Sequence, residues 1–457
     1  MNIHHTIAAV STPYGRGGIA VIRITGEEAL EIAGKLFRPA NGGELFGVEA
    51  NHTVWGHIYY QEEQIDDGVA AVWRAPHSYT GEDTVEISCH GGVYLTQKVL
   101  ESAFICGAVP AEGGEFTRRA FVNGKIGLAQ AEAVMDLIDA ETFEQVRLAN
   151  SGVRGILSDK VRELYEEIEH AVSSIYAYMD YPDEDLTVFT VQELTAILQK
   201  EERELAALCK SYQQGRTVRE GIRTALIGKP NTGKSSLLNA LSGKDRAIVT
   251  EIAGTTRDVI EETVNAGRLL LRIADTAGIR SSDDPIEAIG VQRSLEELEK
   301  AELVLAVFDI LAFDDEDRDL CERLKTYSGP IIAVFNKKDL GEADLPETDV
   351  SFTSSVRISA KTGEGIEELK QTLEALFLSG QISYDTQAMV TNARQYAAVC
   401  AARQHIRDAL HALEAGYSQD IAGLDMEQAL TALGELDGRE VSEEIVDSIF
   451  HRFCVGK

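Results

Sequence analysis

The octapeptide "GKPNTGKS", Gly228 to Ser235, constrains this chain more than any other stretch. A loop of this pattern works only between a strand and the first turn of a helix, where backbone N–H groups and the helix N-terminus together cradle an anionic phosphate. Its flanks agree, since "TALI" reads as a strand and "KSSLLNAL" as a helix. In such a cradle Lys234 brings a cation to the outer phosphates and Ser235 offers its hydroxyl to Mg²⁺. Short apolar runs follow, "LLLRIADTAG", "LVLAVFD", "PIIAVFNKKD" and "VRISA", each ending in a polar loop. A doubly wound α/β domain is therefore expected over residues 216–380.

The later loops choose the base. "NKKD", Asn336 to Asp339, ends an apolar strand, and there the Asp339 carboxylate can accept both donors of guanine N1 and N2, whereas adenine would leave it unpaired. "SAK", Ser359 to Lys361, places backbone donors near the guanine carbonyl. "DTAG" supplies Asp275 for the metal and the Gly278 N–H for the γ-phosphate, and "GTTRD" is a switch segment in which Thr256 completes the Mg²⁺ shell. GTP is the expected nucleotide. Where many GTPases carry a water-positioning glutamine after Asp-x-x-Gly, this chain has Ile279, which can neither accept a proton nor hold a water. Asn231 offers an amide oxygen that can help ligate a monovalent cation, against the plainer reading of a solvent-facing loop residue. Glu287 can hold the attacking water, against the plainer reading of a favourable charge at a helix N-terminus.

A chain of 457 residues exceeds what one hydrophobic core serves, so further domains are required. Residues 1–120 alternate strands such as "GGIAVIRITG" and "DTVEISCHGG" with helical patterns, an α+β texture. From 121 to 215 apolar residues recur at helical spacing, with almost no glycine or proline through "VRELYEEIEHAVSSIYAYMD", and helices return over 381–457, where Val441, Ile445 and Ile449 share one face. The simplest architecture inserts the α/β domain into a helical domain. The formal charge of −32 repels nucleic acid at long range, so an RNA partner requires a local basic patch or a second protein. No apolar run reaches membrane-spanning length and the start lacks the features of a secretory signal, so a cytoplasmic location is expected. Six cysteines, Cys89, Cys106, Cys209, Cys321, Cys400 and Cys454, are scattered without close pairing, which suits a reducing compartment and neither a disulfide framework nor a zinc site.

End to end, the chain resembles the MnmE (TrmE) family of tRNA modification GTPases, in the TRAFAC class. The resemblance rests on "TPYGRGGIAVIRITG", "SYTGEDTVEISCHGG", "GEFTRRAFVNGKIGLAQAEAV", "GKPNTGKSSLLNAL", "IAGTTRD", "DTAGIR", "NKKD" and the terminal "FCVGK". It implies a homodimer whose N-terminal domains bind 5-formyltetrahydrofolate or a related tetrahydrofolate, and whose G domains meet across K⁺ to activate hydrolysis. It also implies a flavoprotein partner, MnmG, in a heterotetramer that adds an aminomethyl or carboxymethylaminomethyl group to C5 of the wobble uridine of certain tRNAs.

By the same resemblance Asn231, Thr250, Ile252 and Thr255 ligate K⁺, Ser235 and Thr256 hold Mg²⁺, and Glu287 and Asn231 are the catalytic residues. The implied GTP contacts run over Asn231, Thr232, Gly233, Lys234, Ser235 and Ser236. They continue over Thr250, Glu251, Ile252, Ala253, Gly254 and Thr255, over Asp275, Thr276, Ala277 and Gly278, and over Asn336, Lys337, Asp339, Ser359, Ala360 and Lys361. The folate pattern falls on Arg23, Glu86, Lys125 and Lys457. Arg23 and Glu86 are charges inside apolar strand runs, where a polar ligand can satisfy them, although outward-facing strand positions explain them equally simply. Cys454 invites a nucleophile reading beside that of an ordinary helical cysteine. Thr232, where the family often carries alanine, is expected to be tolerated because its N–H does the work. The competing function is a GTP-dependent assembly or stress-regulatory switch without tRNA chemistry, and the absence of a basic tail counts against its ribosomal form.

Overall fold

A computed structural model describes residues 5–180, 189–242, 262–273, 298, 300–341, 343, 346, 348–378, 384 and 386–457. The chain opens with strands β1 (Ile7–Val10) and β2 (Ile19–Thr25), helix α1 (Ala29–Leu36), strands β3 (Phe37–Pro39), β4 (His52–Tyr60), β5 (Glu63–Trp73) and β6 (Thr84–His90), helix α2 (Val93–Ile105), strand β7 (Val109–Pro110) and helix α3 (Glu115–Val122). Helices α4 (Leu128–Ile138), α5 (Phe143–Val153), α6 (Ile156–Asp180) and α7 (Val191–Glu220) come next. Then follow β8 (Ile222–Ile227), α8 (Lys234–Ser242), β9 (Glu262–Ala266), β10 (Leu269–Ile273), β11 (Leu303–Asp309), α9 (Asp315–Leu324), β12 (Ile331–Asn336), β13 (Ser354–Arg357) and α10 (Ile366–Phe377). The chain closes with α11 (Ala393–Glu414), α12 (Gln419–Asp437) and α13 (Glu443–Phe450). By contact it divides into two compact units. One takes the chain up to Met135, Gly152–Gln199 and Gln404–Lys457, and the other takes Asp136–Ser151 and Lys200–Arg403.

In the first unit a seven-stranded sheet runs in the order β3-β4-β5-β6-β2-β1-β7, antiparallel except for the parallel β1–β7 pair. Strict alternation along β6 puts Val85, Ile87 and Cys89 into a core with residues of α1 and α2, and sends Glu86, Ser88 and His90 to the other face. Arg23 of β2 is the direct register partner of Glu86, so the charges noted in the sequence share the face opposite α1 and α2. Helix α6 buries Leu157, Val161, Leu164, Ile168, Ala171 and Ile175, steps of three and four that trace one stripe. That stripe meets α12, where Gly423 allows a close approach to the Tyr176 ring. The terminal helix corrects one expectation. Val446 and Phe450 of α13 are buried with Leu128, Ala131 and Phe453, and Val441 and Ile449 pack partly buried against the same cluster, while Ile445 alone of the three turns outward and is exposed.

The second unit holds the expected doubly wound sheet, ordered β13-β12-β11-β8-β10-β9 and parallel except for the β9–β10 hairpin. Both faces of β11 are buried: Leu303, Leu305 and Val307 in one core, Val304, Ala306 and Phe308 in the other. That is why "LVLAVF" reads as a continuous apolar run.

Residues 136–151 belong to this unit through its hairpin. Arg268, at the turn between β9 and β10, sets its Nε and Nη2 on the Glu144 carboxylate at 3.1 and 3.3 Å, and its backbone N–H donates to Glu374 at 2.9 Å. Burial by itself would raise the Glu144 pKa, but the hydrogen bonds and charge of Arg268 outweigh it and hold the group below its ordinary value of 4.5. A depressed carboxylate contributes stability that is present above its unfolded pKa and lost as pH falls through the folded value. Glu144→Gln is therefore expected to speed hydrogen exchange in β9 and β10 by about 10- to 100-fold at pH 7. The difference from the parent should shrink steadily below pH 4.5; a gap that stays constant with pH would show that the ion pair does not hold the hairpin.

Candidate functional site

The phosphate loop leaves β8 and enters α8 as its sequence requires. Asn231 adopts a left-handed backbone with φ 64° and Gly233 follows at φ 96°, a succession that turns backbone N–H groups toward one concavity. Lys234 Nζ lies across the loop, donating to the carbonyls of Gly228 at 2.7 Å and Lys229 at 2.9 Å, and burial lowers its pKa. An anionic ligand in the cradle would reverse that burial effect. Ser235 and Ser236 are exposed in the first turn of α8, and Asn231 is exposed at the loop crest. An exposed hydroxyl and a phosphate-facing helix N-terminus are donors of the kind Mg²⁺ takes. Thr232 is buried with its hydroxyl satisfied by the Lys229 carbonyl at 3.0 Å, which explains how the loop accommodates it in place of alanine.

The guanine loops are tied to the phosphate loop by one buried amide. Asn336 Nδ2 donates to the Thr232 carbonyl at 2.8 Å, and its Oδ1 accepts the Ala360 N–H at 2.9 Å. Asn336 thus spends both ends of its side chain on the protein and acts on a nucleotide by spacing the three loops. Asp339 is exposed, with Oδ1 accepting the Ser359 hydroxyl at 2.7 Å, and Ser359 is itself buried and further braced by the Thr362 N–H at 3.2 Å. An aligned, solvent-facing carboxylate of this kind fits the paired donors of guanine. Lys337, in a left-handed conformation, pairs with Asp309 at 2.7 Å; Ala360 is half-buried and Lys361 exposed beside it.

Sequence reading missed one support. Lys229 reaches Asp314 at 2.6 Å and the fully buried Asp317 at 2.8 Å, joining the phosphate loop to the capping box that starts α9. The "FDDEDRD" run carried a capping signal but nothing to show that its partner lay 85 positions upstream. Thr250, Glu251, Ile252, Ala253, Gly254, Thr255, Thr256, Asp275, Thr276, Ala277, Gly278, Ile279 and Glu287 lie outside the described residues.

A second polar cluster sits on the sheet of the first unit. Arg23 Nε donates to Glu86 at 2.7 Å and its Nη1 to the Gly456 carbonyl at 3.3 Å, with the Phe116 ring 5.4 Å and the Tyr79 ring 5.9 Å from the guanidinium. The C-terminal tail is therefore part of this cluster. The Ser11 hydroxyl also donates to the Gly456 carbonyl at 3.1 Å, and Phe116 N–H donates to Lys457 O at 3.2 Å. A side chain at Gly456, φ 98°, would meet the Val10 carbonyl at 2.3 Å, so only glycine lets the tail lie this close. Lys125 donates to the Pro76 carbonyl at 2.8 Å, on the loop that carries Tyr79. A guanidinium flanked by aromatic faces, a carboxylate and lysines suit a planar heterocycle bearing carboxylates. Cys454 is exposed outside any helix, contrary to the helical reading, and its carbonyl accepts the Gly114 N–H at 3.4 Å.

Two family models match the chain: "GTP-binding protein TrmE N-terminus" over residues 6–125 and "MnmE helical domain" over residues 128–454. The tRNA modification GTPase MnmE of Clostridioides difficile (strain 630) is 40% identical over 461 residues, covering 100% of both chains. Its counterpart in Thermoanaerobacter pseudethanolicus (strain ATCC 33223 / 39E) is likewise 40% identical over 100% of both chains. That of Symbiobacterium thermophilum (strain DSM 24528 / JCM 14929 / IAM 14863 / T) is 43% identical over 99% of each.

Proposed function

The chain belongs to the MnmE family of tRNA modification GTPases, and from that premise we propose that it is a K⁺-activated GTPase serving a folate-dependent modification of the tRNA wobble uridine. The observation that carries the reading is the tie between the phosphate loop and the guanine loops: Lys234 across the phosphate loop, Asp339 held by Ser359, and Asn336 spacing the loops between them. Lys234 binds the outer phosphates, Asp339 selects guanine, and Ser235 with Thr256 holds Mg²⁺, which neutralises charge developing on the phosphates. Asn231, with Thr250, Ile252 and Thr255, ligates K⁺, the cation that offsets the same charge in place of an arginine. Glu287 orients the attacking water where Ile279 cannot. The nucleotide domain spans residues 216–380 and the α+β domain residues 1–120.

At the N-terminal cluster, Arg23, Glu86, Lys125 and Lys457 bind a 5-formyltetrahydrofolate-type cofactor, which supplies the one-carbon unit. Arg23 and the lysines would suit its carboxylates and carbonyls, and the Glu86 carboxylate would accept donors of the pterin. The protein acts in the cytoplasm as a homodimer. With the flavoprotein MnmG it forms the assembly that meets tRNA and adds the aminomethyl or carboxymethylaminomethyl group. The strong negative charge suits a division of labour in which the partner provides the basic surface.

Two measurements test this. Nucleoside mass spectrometry of tRNA from cells lacking the protein should show loss of the C5-modified wobble uridine; normal levels would sink the tRNA reading. Steady-state GTP turnover at matched ionic strength should be at least about tenfold faster in K⁺ than in Na⁺. Asn231→Ala should remove that difference, while equal rates in both salts for the parent would rule out cation activation.

A further inference from the structure

Helices α7 and α11 cross the second unit side by side in antiparallel order, and two contacts fix their register. Glu202 accepts from Arg403 at 2.9 and 2.8 Å, and the Tyr212 and Tyr396 rings stack with centroids 4.3 Å apart at 17°. Between these two ties lie Cys209 and Cys400, 191 positions apart in sequence, with their sulfurs 3.2 Å from each other. Further along, the Ser211 hydroxyl accepts the Val390 N–H at 3.0 Å. The ion pair on one side and the ring stack on the other hold the two helix backbones in place around the thiols. Both are half-buried free thiols, open enough for a small reagent to reach. All six cysteines are free, and the fold brings these two, distant in sequence, together.

We propose that Cys209 and Cys400 are a site of reversible covalent oxidation, at which a low-molecular-weight disulfide converts the two thiols into one intramolecular disulfide. The chemistry balances as two exchanges. One of the two thiols, as its thiolate, attacks one sulfur of the reagent, breaking its S–S bond and releasing one small thiolate, which takes up a proton. The other thiol, once deprotonated, attacks the protein sulfur of the mixed disulfide and releases the second small thiol. The protein loses two hydrogens and two electrons, and the reagent is reduced to two thiols. Burial and the adjoining Cys400 thiol raise the Cys209 pKa, so its thiolate is scarce at neutral pH. Closure therefore quickens as pH rises. The new bond closes a covalent loop over residues 209–400, which carries every nucleotide motif of the chain.

The test treats the full-length protein with oxidised glutathione, quenches with an alkylating agent and maps the peptides without reduction. The expected product joins the Cys209 and Cys400 peptides, forms at least about tenfold faster in the folded than in the urea-unfolded chain, and disappears with dithiothreitol. Cys209→Ser and Cys400→Ser should each stop at a mixed disulfide on the remaining cysteine of the pair. The proposal fails if the parent yields only mixed disulfides, whether on Cys400 or on the exposed Cys454, if either cysteine cross-links elsewhere, or if unfolding does not slow the reaction.

Discussion

Gly233→Val is expected to weaken guanine-nucleotide binding by at least about 100-fold. A side chain at this position would sit 2.2 Å from Asn336 Nδ2, and the backbone at φ 96° is one that a β-branched residue does not adopt without strain. The collision falls on the one buried amide that spaces the phosphate loop from the guanine loops, so the substitution forces Asn336 off the Thr232 carbonyl and releases the Ala360 N–H with it. Backbone strain of about 1–3 kcal/mol together with lost buried hydrogen bonds of about 1–3 kcal/mol gives the predicted factor, at about 1.4 kcal/mol per tenfold. Titration with a fluorescent guanine nucleotide measures it, with far-UV circular dichroism to establish that the variant is folded. Asn336→Ala should lose affinity in the same direction without the clash. A Gly233→Val protein that binds within tenfold of the parent would mean that loop spacing does not govern affinity.

The second large effect is on stability, and it falls in the other unit. Arg119 is 3% exposed and holds Glu82 at 3.0 Å, Glu115 at 2.8 Å and the His5 carbonyl at 2.9 Å. Arg119→Met keeps most of the volume and removes the cation, leaving two largely buried carboxylates close to each other without compensation. Breaking a buried pair from one side costs about 3–5 kcal/mol, far more than the pair itself is worth over an apolar substitute. Both tryptophans of the chain, Trp55 and Trp73, lie in β4 and β5. Urea unfolding followed by their fluorescence therefore reads this domain selectively. The midpoint should fall by about 2–3 M, taking about 1.5 kcal/mol per molar for a domain of this size. A fall of less than about 0.5 M would show that the carboxylates relax to water. Glu82→Gln combined with Arg119→Met should recover part of the loss, because it removes one of the stranded charges.

What could be read without coordinates was whatever a short contiguous stretch encodes. The phosphate loop sits between β8 and α8 because its donors are spaced by adjacent residues, and the two-sided burial of β11 follows from an unbroken apolar run. The α+β, helical and doubly wound textures follow from hydrophobic period for the same reason. Long-range partnership has no such period. Nothing in "FCVGK" states that the Gly456 carbonyl, 433 positions from Arg23, closes the cluster around that guanidinium. Nothing in the NKKD motif states that Asn336 spends its amide on the phosphate loop, or that Cys209 and Cys400 meet. Around α13 the expected face holds at Val441 and Ile449 and fails at Ile445, for a related reason: Val446 and Phe450 centre the buried stripe only when the neighbour, α4, is in place. Sequence thus determined the elements and the kind of chemistry each loop carries. Tertiary structure decided which distant residues share a site, because that choice is made by packing and hydrogen-bond satisfaction across the folded chain.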